Sequence, residues 1–202
     1  MAGDIQPGAT YTDDIFKSLD AQGQSVASCE FYDCRFERCA FVETAFLDCR
    51  FVSCQFLHCD LSMVQIDGTA FSATQFEHSK VMGIDWTRGT WPEIQVKGPL
   101  AFRECVLTHS TFIGLNMKEA QYLACVARDV DFREAILAKA DFSDTDLSGS
   151  YFINTDLREA DFRRAYNYQI DPTQNKIEKA KFTLPEAMSL LYSLDIVLDE
   201  ID

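Results

Sequence analysis

Apolar side chains recur along this chain with a period of five. From Cys29 to Leu61, Phe31, Phe36, Phe41, Phe46, Phe51 and Phe56 mark the beat, and Cys29, Cys34, Cys39, Cys49, Cys54 and Cys59 each stand two residues ahead of a beat position. All sixteen phenylalanines keep this beat. Five matches neither the helical period of about 3.6 nor the strand period of about 2. Within each unit the beat residue, i, and the small residue at i−2 share one face of a short strand. The polar residues at i+1 and i+2 turn a corner. Short strands joined by corners close into coils, and coils stack into a solenoid.

A second spacing sets the size of the coil. Four cysteine pairs lie twenty residues apart: Cys29 with Cys49, Cys34 with Cys54, Cys39 with Cys59, and Cys105 with Cys125. The phenylalanines repeat likewise, as Phe31, Phe51 and Phe71, as Phe36, Phe56 and Phe76, and as Phe142, Phe162 and Phe182. Five residues per side and twenty per coil predict a four-sided shaft, an all-β solenoid with a ladder of stacked rings inside. From Gln24 to Ala165 no Asp, Glu, Lys or Arg falls at i or i−2, as expected if those positions face a core that tolerates no unpaired charge.

Read in order, residues 1–10 are expected to be a frayed N-terminus and residues 11–166 the β-helix. The beat slips by one residue near 97–100, around Gly98 and Pro99, and a single-residue bulge at a corner is the expectation. Residues 167–202 read as an irregular last coil, a short helix opening at Pro185 and Glu186, and a dimerisation cap. The apolar residues of that cap are Leu184, Met188, Leu190, Leu191, Leu194, Ile196 and Leu198. A solenoid end is an open sheet edge, so pairing with a second copy is expected there.

Charge narrows the list of partners. The 202 residues carry 32 acids against 18 bases, a net −14. Direct binding to nucleic acid or to an anionic membrane needs basic surface and is excluded; a partner with a basic groove is favoured. No apolar run reaches the length of a membrane span, and the acidic, polar start is unlike a secretory signal. The eight cysteines read as buried thiols filling small core slots, without disulfides or a metal cluster, and so as a cytoplasmic chain.

The motif GQSVASCEFYDC and the repeat that follows it resemble the pentapeptide-repeat proteins, and the resemblance implies a right-handed quadrilateral β-helix. VMGIDWTRGTW, YNYQID and FTLPEAMSLLYSLDI extend it over residues 11–198, to the branch that includes Qnr, MfpA and the albicidin-resistance protein; similarity is greatest to the last of these. What that implies is a homodimeric DNA mimic that binds DNA gyrase, or topoisomerase IV, and protects it from a poison such as albicidin or a quinolone. A lone slipped residue near Pro99, where Qnr carries long loops, favours self-immunity, or resistance to a gyrase poison other than a quinolone.

Function must then reside on outward positions. Sorted with a one-residue slip, the walls that begin at Phe31 (A), Phe36 (B), Phe41 (C) and Phe46 (D) carry five, five, six and five acids against two, six, four and two bases. Neighbouring walls D and A therefore form the expected acidic edge. Wall D contributes Asp48, Asp67, Asp85, Asp129 and Asp146, and wall A contributes Glu30, Asp33, Glu93, Asp131 and Glu134. A scaffold for a different protein partner is the alternative. An enzyme is not expected: the carboxylates lie on a convex surface, His58 and His78 read as surface residues on wall B, and no phosphate loop or nucleophile elbow is present. No cofactor is implied.

Overall fold

The computed structural model describes residues 5–91, 100–194 and 196. It is an all-parallel β-solenoid with four walls. Three-residue strands such as Glu30–Tyr32, Arg50–Val52 and Ala70–Ser72 stack along wall A, paired as Phe31↔Phe51 and Phe51↔Phe71. Wall B runs from Phe16 to Phe182 in eight coil-to-coil steps, a shaft of about 40 Å at about 4.8 Å per step.

The interior is the expected column. Rings one coil apart lie parallel, as with Phe31 and Phe51 (4.7 Å, 6°), Phe36 and Phe56 (4.6 Å, 8°) and Phe142 and Phe162 (4.9 Å, 8°). Rings on adjacent walls of one coil meet edge to face, as with Phe31 and Phe36 at 70°. Both arrangements suit the aromatic quadrupole. All eight cysteines are free and buried.

Corners turn because the residue at i+2 adopts left-handed backbone, with φ of 52° at Arg38 and 56° at Glu43. Two bonding schemes hold them. Where Ala stands at i−2 in the coil above, the corner closes on itself: under Ala135, Ala140 and Ala160 the bonds are Leu115 N–H to Phe112 O (3.1 Å), Ala120 N–H to Met117 O (3.1 Å) and Ala140 N–H to Leu137 O (3.0 Å). Where Cys, Ser or Thr stands above, its side chain bonds to the corner below. Ser79 accepts from Cys59 N–H (3.0 Å) and donates to Phe56 O (3.2 Å); Cys54 donates to Phe31 O (3.4 Å). The small i−2 residues are therefore hydrogen-bonding rungs as well as filler.

Two expectations are corrected. Residues 5–9 are tied in rather than frayed, since Gly8 N–H donates to Ala27 O and Ile5 packs on the core. The slip is larger than one residue: Phe76 pairs with Phe102, Lys80 with Val106 and Asp85 with Thr111, all 26 residues apart instead of 20. Six residues are inserted between Trp91 on wall A and Leu100 on wall B, and 92–99, which include Glu93, lie outside the described residues. A six-residue insertion shifts a five-residue beat by one, which is why it read as a single slipped residue. In the last coil, Tyr168 and Ile170 fill the core in place of a residue on the strict beat.

The C-terminal helix is a 3₁₀ helix, Glu186–Ser193, with no buried residue and no side-chain cap. Glu186 ties it to the shaft by accepting from Asn167 N–H at 2.5 Å. Among the described residues no helix is long and apolar enough to cross a membrane.

Candidate functional site

The insertion moves every residue above it by one wall. Above the break wall A continues with Met117, Leu137 and Leu157, and wall C with Leu107, Ala127 and Leu147; wall D continues with Phe112, Phe132 and Phe152. Asp129 and Asp146 therefore belong to wall C, while Asp131 and Glu134 join Asp48, Asp67 and Asp85 on wall D. Glu30 and Asp33 stay on wall A, away from the rest. The expected D/A edge is thus replaced by a C/D face that also takes in Asp20, Glu43, Asp60 and Asp171. Sequence sorting missed Asp20, Glu43 and Asp60 because the wrong wall assignment diluted wall C with bases, and Asp171 because it lies past the regular beat.

Among the described residues, walls C and D carry eleven acids and four bases, and walls A and B fourteen and thirteen. All four bases on the acidic face are held by its own carboxylates. Lys80 pairs with Asp60 at 3.0 Å, Arg128 with Asp146 at 2.7 Å, Arg133 with Asp131 at 2.6 Å, and Arg88 with Asp67. Among the described residues Asp20, Glu43, Asp48, Asp85, Glu134 and Asp171 have no Lys or Arg partner, and Asp129 faces His109 at 3.9 Å. On A and B, ion pairs such as Lys17–Glu37, Arg50–Glu30 and Arg164–Asp144 balance the charge.

Local structure fixes these carboxylates. Asp129 and Asp48 occupy left-handed corners, and each leans its Oδ1 over a glycine in the coil above, Gly149 and Gly68, where a Cβ would collide with it. Asp85 accepts from Thr87 N–H at 3.0 Å. Asp146 is the buried member. Burial opposes its ionisation, but hydrogen bonds from Ser148, Asn167 and Arg128 prevail and bring its pKa to about 2.

His58 and His78 stack at the B/C corners, 5.0 Å apart, with His78 beside Glu104 at 3.1 Å. Among the described residues no group of three His, Cys, Asp or Glu side chains could hold a metal ion. At the shaft's end, Leu184, Met188, Tyr192 and Ile196 are 76%, 39%, 77% and 52% exposed, while Leu190 packs on the core. Leu191 and Leu194 are partly exposed, and Leu198 lies outside the described residues.

The family model described as pentapeptide repeat region matches residues 25–99 and 84–162. Comparison with curated protein sequences gives no match. Among solved structures, two trypsin-treated variants of QnrB1, described as a plasmid-mediated fluoroquinolone resistance protein, superpose with TM-scores of 0.62 and 0.63 at 16% identity. Each covers 96% of this chain, which spans 91% and 93% of theirs. HetL, a pentapeptide repeat protein involved in heterocyst differentiation regulation from the cyanobacterium Nostoc sp. strain PCC 7120, gives 0.50 at 13% identity, covering 86% of this chain and 85% of its own. At these identities the likeness is one of fold.

Proposed function

The chain belongs to the pentapeptide-repeat family, and from that premise we propose that it is an acidic DNA mimic that binds DNA gyrase and protects it from a topoisomerase poison. Topoisomerase IV is the second candidate target. The observation that carries the reading is the one-sided charge: a net −7 on walls C and D along the shaft, against −1 on walls A and B. Spread over about 40 Å, that is one net charge per about 6 Å, roughly half the density of a single DNA strand at about 3.4 Å per phosphate. A groove built for duplex DNA meets a straight, regularly charged rod of similar character.

The tail motifs YNYQID and FTLPEAMSLLYSLDI support the resistance branch and the albicidin-like reading within it. The likeness to QnrB1, a fluoroquinolone resistance protein, supports resistance to a drug. The six-residue insertion removes the ground for setting quinolones aside, so both drug classes remain in the proposal. The exposed apolar residues of the cap support a homodimer, which doubles the rod to about 80 Å. Free buried thiols fit a cytoplasmic location.

Gyrase supercoiling under challenge by albicidin and by a quinolone, with and without this protein, tests the reading. Restored supercoiling for at least one poison is the expected result. Failure to bind purified gyrase at micromolar protein would overturn it in favour of a scaffold for another protein, a reading that the HetL likeness keeps open.

A further inference from the structure

The acidic face also carries most of the shaft's exposed apolar surface. Among the described residues, seven large apolar side chains stand exposed on the shaft, and five of them lie on walls C and D: Met63, Ile113, Tyr151, Ile153 and Tyr166. Scattered singly, such residues need no explanation. Here they share two walls with the unpaired carboxylates, and four of the five fall above the insertion.

Their setting repeats. Tyr151 sits directly above Asp131, whose carboxylate is held by Arg133. Tyr166 sits directly above Asp146, held by Arg128. In each case the arginine is neutralised by its own wall and presents no free charge to a basic partner. Each tyrosine is about half exposed, 55% and 44%. Ile153 lies two positions beyond Tyr151 on the same wall, and Ile113 lies two coils below it in the same column. Competing with phosphate alone requires carboxylates. It does not require half-exposed aromatic rings set directly above ion-paired carboxylates, and aromatic residues are enriched at the core of protein–protein interfaces.

We infer that the upper half of the C/D face is a protein-docking surface with Tyr151, Tyr166 and Ile153 at its centre and Asp129 and Glu134 at its rim, matched to a partner that surrounds an apolar depression with Lys or Arg. The inference rests on the gyrase reading and refines it: the carboxylates steer the encounter, and the rings hold the complex. Electrostatic contacts set the salt dependence and the on-rate, whereas buried rings set the off-rate.

Binding to purified gyrase over a series of salt concentrations tests this with the full-length chain. Tyr151→Ala/Tyr166→Ala is expected to weaken binding at least ten-fold with the slope of log Kd against log salt unchanged, and Tyr151→Phe/Tyr166→Phe to restore it. Asp129→Asn/Glu134→Gln is expected to flatten the slope. Ile15→Ala/Ile136→Ala, on walls B and A, is expected to stay within two-fold, which also shows that trimming exposed apolar residues does not harm the shaft. If the alanine pair binds within two-fold of wild type, the face works by charge alone and the inference falls while the gyrase reading stands. If the wild-type chain fails to bind, the gyrase reading itself falls.

Discussion

A thiol or hydroxyl at i−2 does two jobs in this shaft, filling a small slot and completing a corner. Thr145 shows both, accepting from Cys125 N–H at 3.2 Å and donating to Tyr122 O. Thr145→Val keeps the volume and removes both bonds; the corner below is then expected to close on itself, Cys125 N–H to Tyr122 O, as Ser110 N–H does to Leu107 O under Val130, so a net loss of only about 1 kcal/mol in thermal or chemical unfolding is expected. Thr145→Ser should stay near wild type. Burial pushes the Cys54 thiol up to about 12 and the Cys49 and Cys105 thiols up to about 11. A thiolate reagent at pH 8 should therefore leave these three unmodified in the native protein and titrate all eight in denaturant. Asp146 adds a pH dependence with a defined sign. Its folded pKa of about 2 lies below the ordinary carboxylate value of about 3.9, so its contribution is complete above about pH 4 and is lost as pH falls toward 2. Asp146→Asn should flatten that part of the stability profile. The cysteine positions and their burial were legible from spacing alone. The bonding role was not, although Thr and Ser sharing the cysteine slot at Thr44, Thr69, Ser79 and Thr145 is the signal that points to it.

Coils are interchangeable elements as long as each returns to its starting wall, and this makes the insertion testable. Twenty-six residues separate Phe76 from Phe102 where twenty suffice. Removing six residues between Trp91 and Leu100 should restore the common register and leave a cooperatively folding shaft. Removing one residue, which would cure a simple slip, should do no such repair: the excursion would remain, one residue shorter. Circular dichroism melting of the two deletions, combined with limited proteolysis between Trp91 and Leu100, separates the cases; a six-residue deletion that fails to fold would contradict the register. The repeat was readable because a beat of five survives any number of coils. The size of the insertion was not, because lengths of one and six leave the same remainder against a period of five, and only pairing between coils tells them apart. The end of the chain was hard to read for a different reason. Once Tyr168 and Ile170 replace the strict beat in the core, periodicity carries no information, and the helix Glu186–Ser193 has no fully buried residue, with Leu190 packing on the core only in part.

Across the whole molecule that remainder decides which surface is acidic. A one-residue slip gathers the charge at the D/A edge; six residues carry Asp129 and Asp146 to wall C and leave Glu30 and Asp33 behind on wall A. The overall acidity was legible from composition, but its direction depends on a register that composition does not contain. Charge reversal separates the two faces. Glu43→Lys, Asp85→Lys and Glu134→Lys change three carboxylates that have no Lys or Arg partner among the described residues, so no described ion pair is broken and the fold should hold. The change adds six units to a face that carries a net −7, leaving it close to neutral. An equal reversal on A and B, at Asp14, Glu77 and Glu119, shifts the total charge by the same six units on the opposite side. If steering depends on total charge, both triple variants should weaken gyrase binding alike. If it depends on a face that mimics DNA, the first should lose binding by a hundred-fold or more in 0.1 M salt and the second by only a few-fold, because the Debye length of about 10 Å at that salt screens the far walls from the partner. Equal losses from the two variants would reduce the C/D face to a share of the overall charge, and a larger loss from the second would move the binding surface to walls A and B.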